Sequence, residues 1–183
     1  MSKKHWVILL TTPLAVLLDQ ATKFFIHSTF RLYQEISVIP GYLNIIYVQN
    51  RGLIFGSFSD RLGPYSIWVS LAITVVALGI IVHLFFRTED RAVLLPLALS
   101  MVLVGAIGNL IDRLHWGYVV DFIQLYYVEN SPPFKAHYWP TFNVADIAIT
   151  CGIILLLIDS FRPQREPAAK PKANPETEGG SAK

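Results

Sequence analysis

Four long apolar stretches constrain this chain more strongly than any other feature of its sequence. They lie near Trp6–Phe25, Tyr65–Phe86, Ala92–Ile111 and Thr141–Phe161. A helix of about 20 apolar residues is long enough to cross the hydrocarbon core of a bilayer. Only helices and closed barrels satisfy the backbone in lipid, and none of the four stretches is a clean strand candidate. The sequence therefore predicts a mainly α, polytopic membrane protein with four transmembrane helices.

The overall composition agrees with a membrane protein. Of the 183 residues, 53% are hydrophobic and only 15% are charged, whereas an ordinary soluble domain carries about 25% charged residues. The net charge of +2 is too small to indicate a nucleic-acid partner. The single cysteine, Cys151, cannot form an intrachain disulfide, and we expect it to be a small buried hydrophobic side chain.

Lysine and arginine predict the orientation of the spans, because they collect on the cytoplasmic side. They flank the predicted spans in three segments that share one side: Lys3 and Lys4, then Arg87 and Arg91, then Arg162, Arg165, Lys170 and Lys172. Both termini are therefore expected in the cytoplasm. We expect residues 1–161 to form a single membrane-embedded domain, and residues 162–183, rich in Pro, Lys, Glu and Gly, to be a disordered cytoplasmic tail.

The two connections expected on the outer side are both long. The first, His27–Pro64, contains the aromatic and β-branched segment Tyr42–Val48 after the turn signal Pro40-Gly41. This pattern predicts a short strand of a small extracytoplasmic β-sheet. The second connection, about Trp116–Pro140, is expected to be an outer loop with aromatic rings in the lipid headgroup zone: Tyr126, Tyr127, Tyr138 and Trp139.

Acids stand at the outer edges of the predicted spans, where an ionised carboxylate is costly and usually functional. Asp121 and Asp146 each interrupt an otherwise apolar stretch, and Asp19 and Asn109 lie at a similar shallow depth. We therefore expect one polar cavity that opens outward. Two carboxylates from different spans that share such a cavity are sufficient to activate water against an amide.

Helical spacing groups the polar residues further. Residues three or four apart share a helix face, which predicts three pairs: Asn109 with Arg113, Asn143 with Asp146, and Asp19 with Lys23. Lys23 either simply neutralises Asp19 or joins it in supporting the site.

A helix that continued unbroken from Asp112 to Asp121 would turn the two acids in opposite directions, at 3.6 residues per turn. We therefore expect Asp112 to pair with a neighbouring arginine rather than with Asp121. A bend at Gly117 would weaken this argument.

Five motifs in this order resemble the motif series of the lipoprotein signal peptidase (signal peptidase II) family: Asp19-Gln20-Ala21-Thr22-Lys23, Asn50-Arg51-Gly52, Gly108-Asn109-Leu110-Ile111-Asp112-Arg113, Val120-Asp121-Phe122 and Phe142-Asn143-Val144-Ala145-Asp146. The resemblance runs from about Trp6 to Phe161. It implies an aspartyl endopeptidase of the bacterial cytoplasmic (inner) membrane. Such an enzyme removes the signal peptide of a diacylglyceryl-modified prolipoprotein by cutting just before the lipidated cysteine.

The resemblance also implies roles for particular residues. Asp121 and Asp146 match the catalytic pair, and the substrate-binding or supporting positions are Asp19, Lys23, Asn50, Gly52, Asn109, Arg113 and Asn143. The family usually has two alanines before the phenylalanine that follows the second motif. Here Leu53 and Ile54 precede Phe55, so the substrate groove is expected to be narrower or reshaped.

The expected chemistry is that of a carboxylate dyad. Two carboxyl groups a few ångströms apart share a proton near neutral pH, so one activates water and the other donates to the scissile carbonyl. No metal or other cofactor is expected, because the five histidines are scattered without helical metal spacing. The expected partners are lipid-modified prolipoproteins and membrane lipids, and the expected state is a monomer.

Other interpretations of the acids remain open from the sequence. Asp146 could merely cap the fourth helix. Intramembrane acids also mark ion paths, so the chain could be a small transporter or proton-relay subunit. In a non-enzymatic assembly protein, the same polar residues would only hold helices together.

Overall fold

The computed structural model describes residues 2–51, 65–88, 93–130 and 132–161. Within these residues the chain forms four α-helices and four β-strands, in the order α1 (Lys3–Thr29), β1 (Glu35–Ile39), β2 (Leu43–Asn50), α2 (Ser66–Arg87), α3 (Leu94–Trp116), β3 (Val119–Val128), β4 (Ala136–Tyr138) and α4 (Val144–Ser160). The protein is thus mainly helical with a small sheet, as predicted.

Three of the described helices are long and apolar enough to cross a membrane: Lys3–Thr29, Ile67–Arg87 and Leu94–Trp116. They overlap the first three predicted spans. The helix α4 has 17 residues, slightly fewer than the roughly 20 of a typical span. The structure therefore supports three candidate spans, and a fourth crossing by α4 stays a prediction.

Glycines allow the long helices to pack closely. A Cβ atom on Gly152 of α4 would lie 2.8 Å from the carbonyl oxygen of Ala98 on α3. A Cβ atom on Gly108 of α3 would lie 2.5 Å from Oδ2 of Asp19 on α1. Small residues let membrane helices approach each other without side chains between them. As a result, polar side chains of α1, α3 and α4 come within hydrogen-bonding distance.

The sheet is antiparallel with the strand order β1-β2-β3-β4. The predicted strand near Tyr42–Val48 is confirmed as β2. The strands β3 and β4 were not predicted, since the second connection was expected to be a loop. The residues Val119–Phe122 at the start of β3 are all buried, so this segment lacks the alternation of buried and exposed residues that indicates a strand.

The helix α3 ends well before Asp121. Gly117 has a φ of 75°, and its N–H donates to the Arg113 carbonyl oxygen at 3.1 Å. A left-handed residue of this kind stops a helix, and glycine adopts it without a Cβ penalty. The argument that assumed an unbroken helix from Asp112 to Asp121 therefore does not apply, because the chain turns at Gly117, as the alternative allowed, and continues as a strand.

The core beneath the sheet determines which way Asp121 points. Val120 and Phe122 are buried in a cluster with Ile26 of α1 and Tyr47 of β2. Side chains alternate between the two faces of a strand. Asp121 consequently lies on the opposite face, away from this cluster.

Candidate active site

A cavity of about 430 Å³ lies between α2, α3 and α4 and the adjoining ends of β2 and β3. It is lined by both Asp121 and Asp146. The other lining side chains that carry hydrogen-bonding groups are Asn50, Ser70, Thr74, Asn109, Arg113, Thr141 and Thr150. The remaining walls are apolar, so the cavity presents a small set of polar groups in a largely apolar enclosure.

The carboxyl group of Asp121 is almost fully buried, with 2% of the residue exposed. Asn50 Nδ2 donates to its Oδ2 at 2.8 Å, and Asn143 Nδ2 donates to its Oδ1 at 2.7 Å. Burial and, to a smaller extent, the negative charge of Asp146 together raise the pKa of Asp121 to about 7, although the two asparagine hydrogen bonds oppose this rise. Asp121 can therefore hold or release a proton near neutral pH.

Asp146 lies in the first turn of α4. Asn109 Nδ2 donates to its Oδ1 at 2.9 Å, and the Asn143 backbone N–H donates to its Oδ2 at 3.2 Å. Its own backbone N–H donates to Asn143 Oδ1 at 3.0 Å, which completes a reciprocal capping box. Asp146 thus caps the helix, as one interpretation of the sequence expected, and lines the cavity with the same side chain.

Asn143 connects the two acids. Its side-chain amide donates to Asp121 and its backbone N–H donates to Asp146. The same amide lies 3.2 Å from Asn109 Oδ1 and 3.3 Å from the Val120 carbonyl oxygen. The residue is fully buried, so it holds β3, α3 and the start of α4 in one arrangement.

Lys23 and Asp19 form the ion pair that their spacing predicted, at 2.9 Å. Lys23 Nζ also lies 3.0 Å from Asp112 Oδ2. The expectation that Asp112 pairs with an arginine is therefore wrong, and Arg113 instead donates to the Asn109 carbonyl oxygen at 3.1 Å. The reason is that α1 packs against α3, a contact between distant segments that helical spacing cannot reveal.

Some residues around the site were not predicted. Gln20 Nε2 lies 3.0 Å from Asp112 Oδ1 and 3.1 Å from both Asp19 Oδ2 and the Gly108 carbonyl oxygen. Ser70 and Thr74 line the cavity from α2. Their spacing of four in an apolar helix was the signal available in the sequence, since it places both hydroxyl groups on one face.

Several predictions fall on residues outside the described ranges. These are the supporting role of Gly52, the effect of Leu53 and Ile54 on the groove, and the tail 162–183. Within residues 2–51, 65–88, 93–130 and 132–161, no group of three or more His, Cys, Asp or Glu side chains is arranged to hold a metal ion.

Comparisons with known proteins identify relatives of this chain. A family model described as signal peptidase (SPase) II matches residues 11–162. A lipoprotein signal peptidase of Geobacter sulfurreducens is 42% identical, over 84% of this chain and 91% of the relative. One of Geobacter metallireducens is 38% identical, over 90% of this chain and 96% of the relative.

Solved structures agree with the sequence relatives. A structure described as a bacterial membrane enzyme has a TM-score of 0.71 at 30% identity and covers 89% of this chain and 94% of its own. A second structure with the same description has a TM-score of 0.68 at 32% identity, covering 85% and 92% of the two chains.

Proposed function

We propose, because this chain belongs to the signal peptidase II family, that it is an aspartyl endopeptidase whose catalytic pair is Asp121 and Asp146. The family supports a protease of the membrane that removes signal peptides from prolipoproteins. We further propose that the substrates carry a diacylglyceryl group and that the enzyme cleaves just before the lipidated cysteine.

One observation carries the choice of catalytic residues. Asp121 and Asp146 come from separate elements, line the same cavity and are joined by hydrogen bonds through Asn143. The pKa of Asp121 near 7 supports the pairing, because part of the rise comes from the charge of Asp146. Two carboxyl groups arranged in this way share a proton near neutral pH.

The proposed reaction divides the work between the acids. The Asp146 carboxylate takes a proton from a water molecule, and the water oxygen bonds to the scissile carbonyl carbon. Protonated Asp121 donates its proton to the carbonyl oxygen as the tetrahedral intermediate forms. When the carbon–nitrogen bond breaks, the leaving amine takes a proton from the dyad. Asn109, Asn50 and Asn143 hold the two carboxyl groups in place, as their hydrogen bonds suggest.

The proposed location is the bacterial inner membrane, with both termini in the cytoplasm and the site near the outer face. Asn109 and Arg113 lie in the last turns of α3, and Asp146 lies in the first turn of α4. The cavity is therefore at the end of these helices that carries the sheet. Lys3, Lys4 and Arg87 lie toward the other end, which the positive-inside rule assigns to the cytoplasm. A monomer is sufficient for this site.

Substituting each acid tests the catalytic pair. We expect Asp121→Asn and Asp146→Asn each to lower kcat/KM for a lipidated prolipoprotein by roughly 10²- to 10⁴-fold, because each removes one proton-transfer group. Cleavage by purified protein in detergent, followed on a gel, measures this loss. Asparagine keeps the size of the side chain, and a thermal melt checks that each variant remains folded.

Asp159→Asn provides the matched control. Asp159 lies at the opposite end of α4 and does not line the cavity. This variant should therefore cleave the substrate at the same rate as the unmodified protein. Normal turnover by either the Asp121 or the Asp146 variant would refute the proposed pair.

A further inference from the structure

The ammonium group of Lys23 is enclosed by three acceptors. The side chain has 0% exposure, and its Nζ lies 2.9 Å from Asp19 Oδ2, 3.0 Å from Asp112 Oδ2 and 2.9 Å from Asn109 Oδ1. An ammonium group has three N–H donors and no acceptor. Each N–H donor therefore has one acceptor. The two carboxylates supply the negative charge that offsets the buried ammonium group.

This arrangement determines the orientation of the Asn109 side chain. Asn109 Oδ1 accepts from Lys23, and its Nδ2 donates to Asp146 Oδ1 at 2.9 Å. Because an ammonium group can only donate, the amide oxygen faces Lys23, and it also accepts from the Asn143 side-chain amide at 3.2 Å. A reversed amide would place its NH₂ group against the ammonium and its oxygen against the Asp146 carboxylate. Lys23, together with Asn143, thus directs an N–H donor of Asn109 at Asp146, a carboxyl group that Lys23 itself does not contact.

We propose that Lys23 is a positioning residue of the dyad, which orients the Asn109 amide so that the shared proton resides on Asp121 and Asp146 acts as the base. This inference rests on the proposed function. A donor aimed at a carboxylate stabilises its negative charge. Asp146 and Asp121 each receive two donors, but Asp121 is almost fully buried, whereas Asp146 is partly exposed in the first turn of α4. Burial disfavours the charged form, so the proton of the pair is left to Asp121 while Asn109 keeps its donor on Asp146.

The charged groups around the dyad come from four elements. They are Asp19 and Lys23 of α1, Asp112 and Arg113 of α3, Asp121 of β3 and Asp146 of α4. The cavity-lining residues of α2 are Ser70, Ile73, Thr74 and Ala77, none of which titrates near neutral pH. Among the described residues that line the cavity, Arg113 is the cation, and it donates to the backbone carbonyl oxygen of Asn109 rather than to the side-chain amide.

The test removes the ammonium group without changing the charge of the triad. Lys23→Met combined with Asp112→Asn deletes one positive and one negative charge, so that the net charge of Lys23, Asp19 and Asp112 is kept. Relative to the unmodified protein, which carries the same net charge, we expect kcat to fall roughly 10- to 100-fold, the range of one hydrogen bond to a charged group, while KM changes little. Asp112→Asn alone should account for only a small part of this loss. The acid limb of the pH profile should move to higher pH.

Lys4→Met is the matched control for a merely structural role. Lys4 is also a buried lysine of α1, but it donates to the Thr88 carbonyl oxygen at the opposite end of the helix. Its replacement can lower the melting temperature, but it should leave the pH profile of kcat/KM unchanged. A Lys23 variant that lost stability while keeping its pH profile would overturn the proposal.

Infrared spectroscopy with ¹³C-labelled aspartate tests the position of the proton without turnover. Near pH 7, the carboxylic acid band of the unmodified dyad should disappear in Asp121→Asn and persist in Asp146→Asn. In the Lys23→Met/Asp112→Asn background, Asp146→Asn should also remove part of the band. A band that depends on Asp121 alone in both backgrounds would overturn the role of Lys23.

The same experiments separate this inference from the proposed function. If the unmodified protein does not cleave a lipidated prolipoprotein, or if Asp121→Asn stays active, the dyad itself is refuted. If the dyad is required but the Lys23 variant shifts neither the pH profile nor the infrared band, only the positioning role is refuted.

Discussion

Asp121 and Asp146 are chemically identical side chains in different local environments. Asp121 lies on a strand, is almost fully buried, and receives side-chain donors from Asn50 and Asn143. Asp146 lies at a helix N-terminus, where backbone dipoles favour negative charge, and is only partly buried. A pair of acids whose surroundings differ in this way can divide the roles of acid and base.

The pH dependence of cleavage should follow Asp121. Its pKa is raised from 3.8 to about 7 by burial and by Asp146, and a general acid must be protonated to act. We therefore expect kcat/KM to fall as pH rises through about 7. Asn50→Ala removes a hydrogen bond that favours the ionised form, so the pKa of Asp121 should rise further and the basic limb should move to higher pH. A pH profile of residual cleavage measures this shift.

Gln49→Ala is the control for this prediction. Gln49 is the neighbouring residue on β2, and its Nε2 donates to the Tyr47 hydroxyl at 3.0 Å rather than to Asp121. The basic limb of the kcat/KM pH profile of Gln49→Ala should match that of the unmodified protein. If the basic limb of Asn50→Ala moved to lower pH, the assignment of Asp121 as the acid would be contradicted.

Among the elements, the packing of α4 against α3 depends on close backbone approach. A Cβ atom on Gly152 would lie 2.7 Å from Val102 Cγ2 and 2.9 Å from the Val102 backbone nitrogen. Since α4 carries Asp146 and α3 carries Asn109, the distance between these two helices controls the geometry of the site.

Gly152→Ala should therefore separate the two helices. Overpacking of this kind destabilises a protein by about 1–3 kcal/mol, and we expect a lower melting temperature in detergent together with reduced cleavage. The matched substitution is Gly79→Ala on α2, where an added Cβ atom meets nothing within 4 Å. That variant should melt at the same temperature or higher, because alanine favours a helix over glycine by about 1 kcal/mol. Equal melting temperatures for the two variants would contradict the close approach.

At the scale of the whole molecule, four crossings would place the sheet and the cavity on the outer side and both termini inside. The described helices include three candidate spans, so the crossing by α4 is the point to test. Its 17 residues correspond to about 25 Å of helix at 1.5 Å per residue, which approaches the roughly 30 Å of the hydrocarbon core.

Labelling of single cysteines tests this topology. In a Cys151→Ser background, Ser37→Cys on the exposed strand β1 should react with an impermeant maleimide added outside intact spheroplasts. Lys3→Cys should react only after permeabilisation. A reporter fused after Arg162 should report the cytoplasm. If that reporter were external while Ser37→Cys reacted from outside, α4 would not cross the membrane.

The sequence by itself determined the membrane class, the approximate spans, one strand and the candidate acids. These properties follow from local hydropathy and from charges that are costly in apolar stretches, and both can be read along the chain. The ion pair of Asp19 and Lys23 was also predictable, since helical spacing places residues four apart together.

Only the tertiary structure decided which polar groups meet. It paired Asp112 with Lys23 across two helices, joined Asp121 to Asp146 through Asn143, and turned the chain at Gly117 so that Asp121 lies on a strand facing the cavity. These contacts link segments far apart in the chain. No local pattern encodes them, because they depend on how closely the helices pack and on which face of β3 is covered by the core.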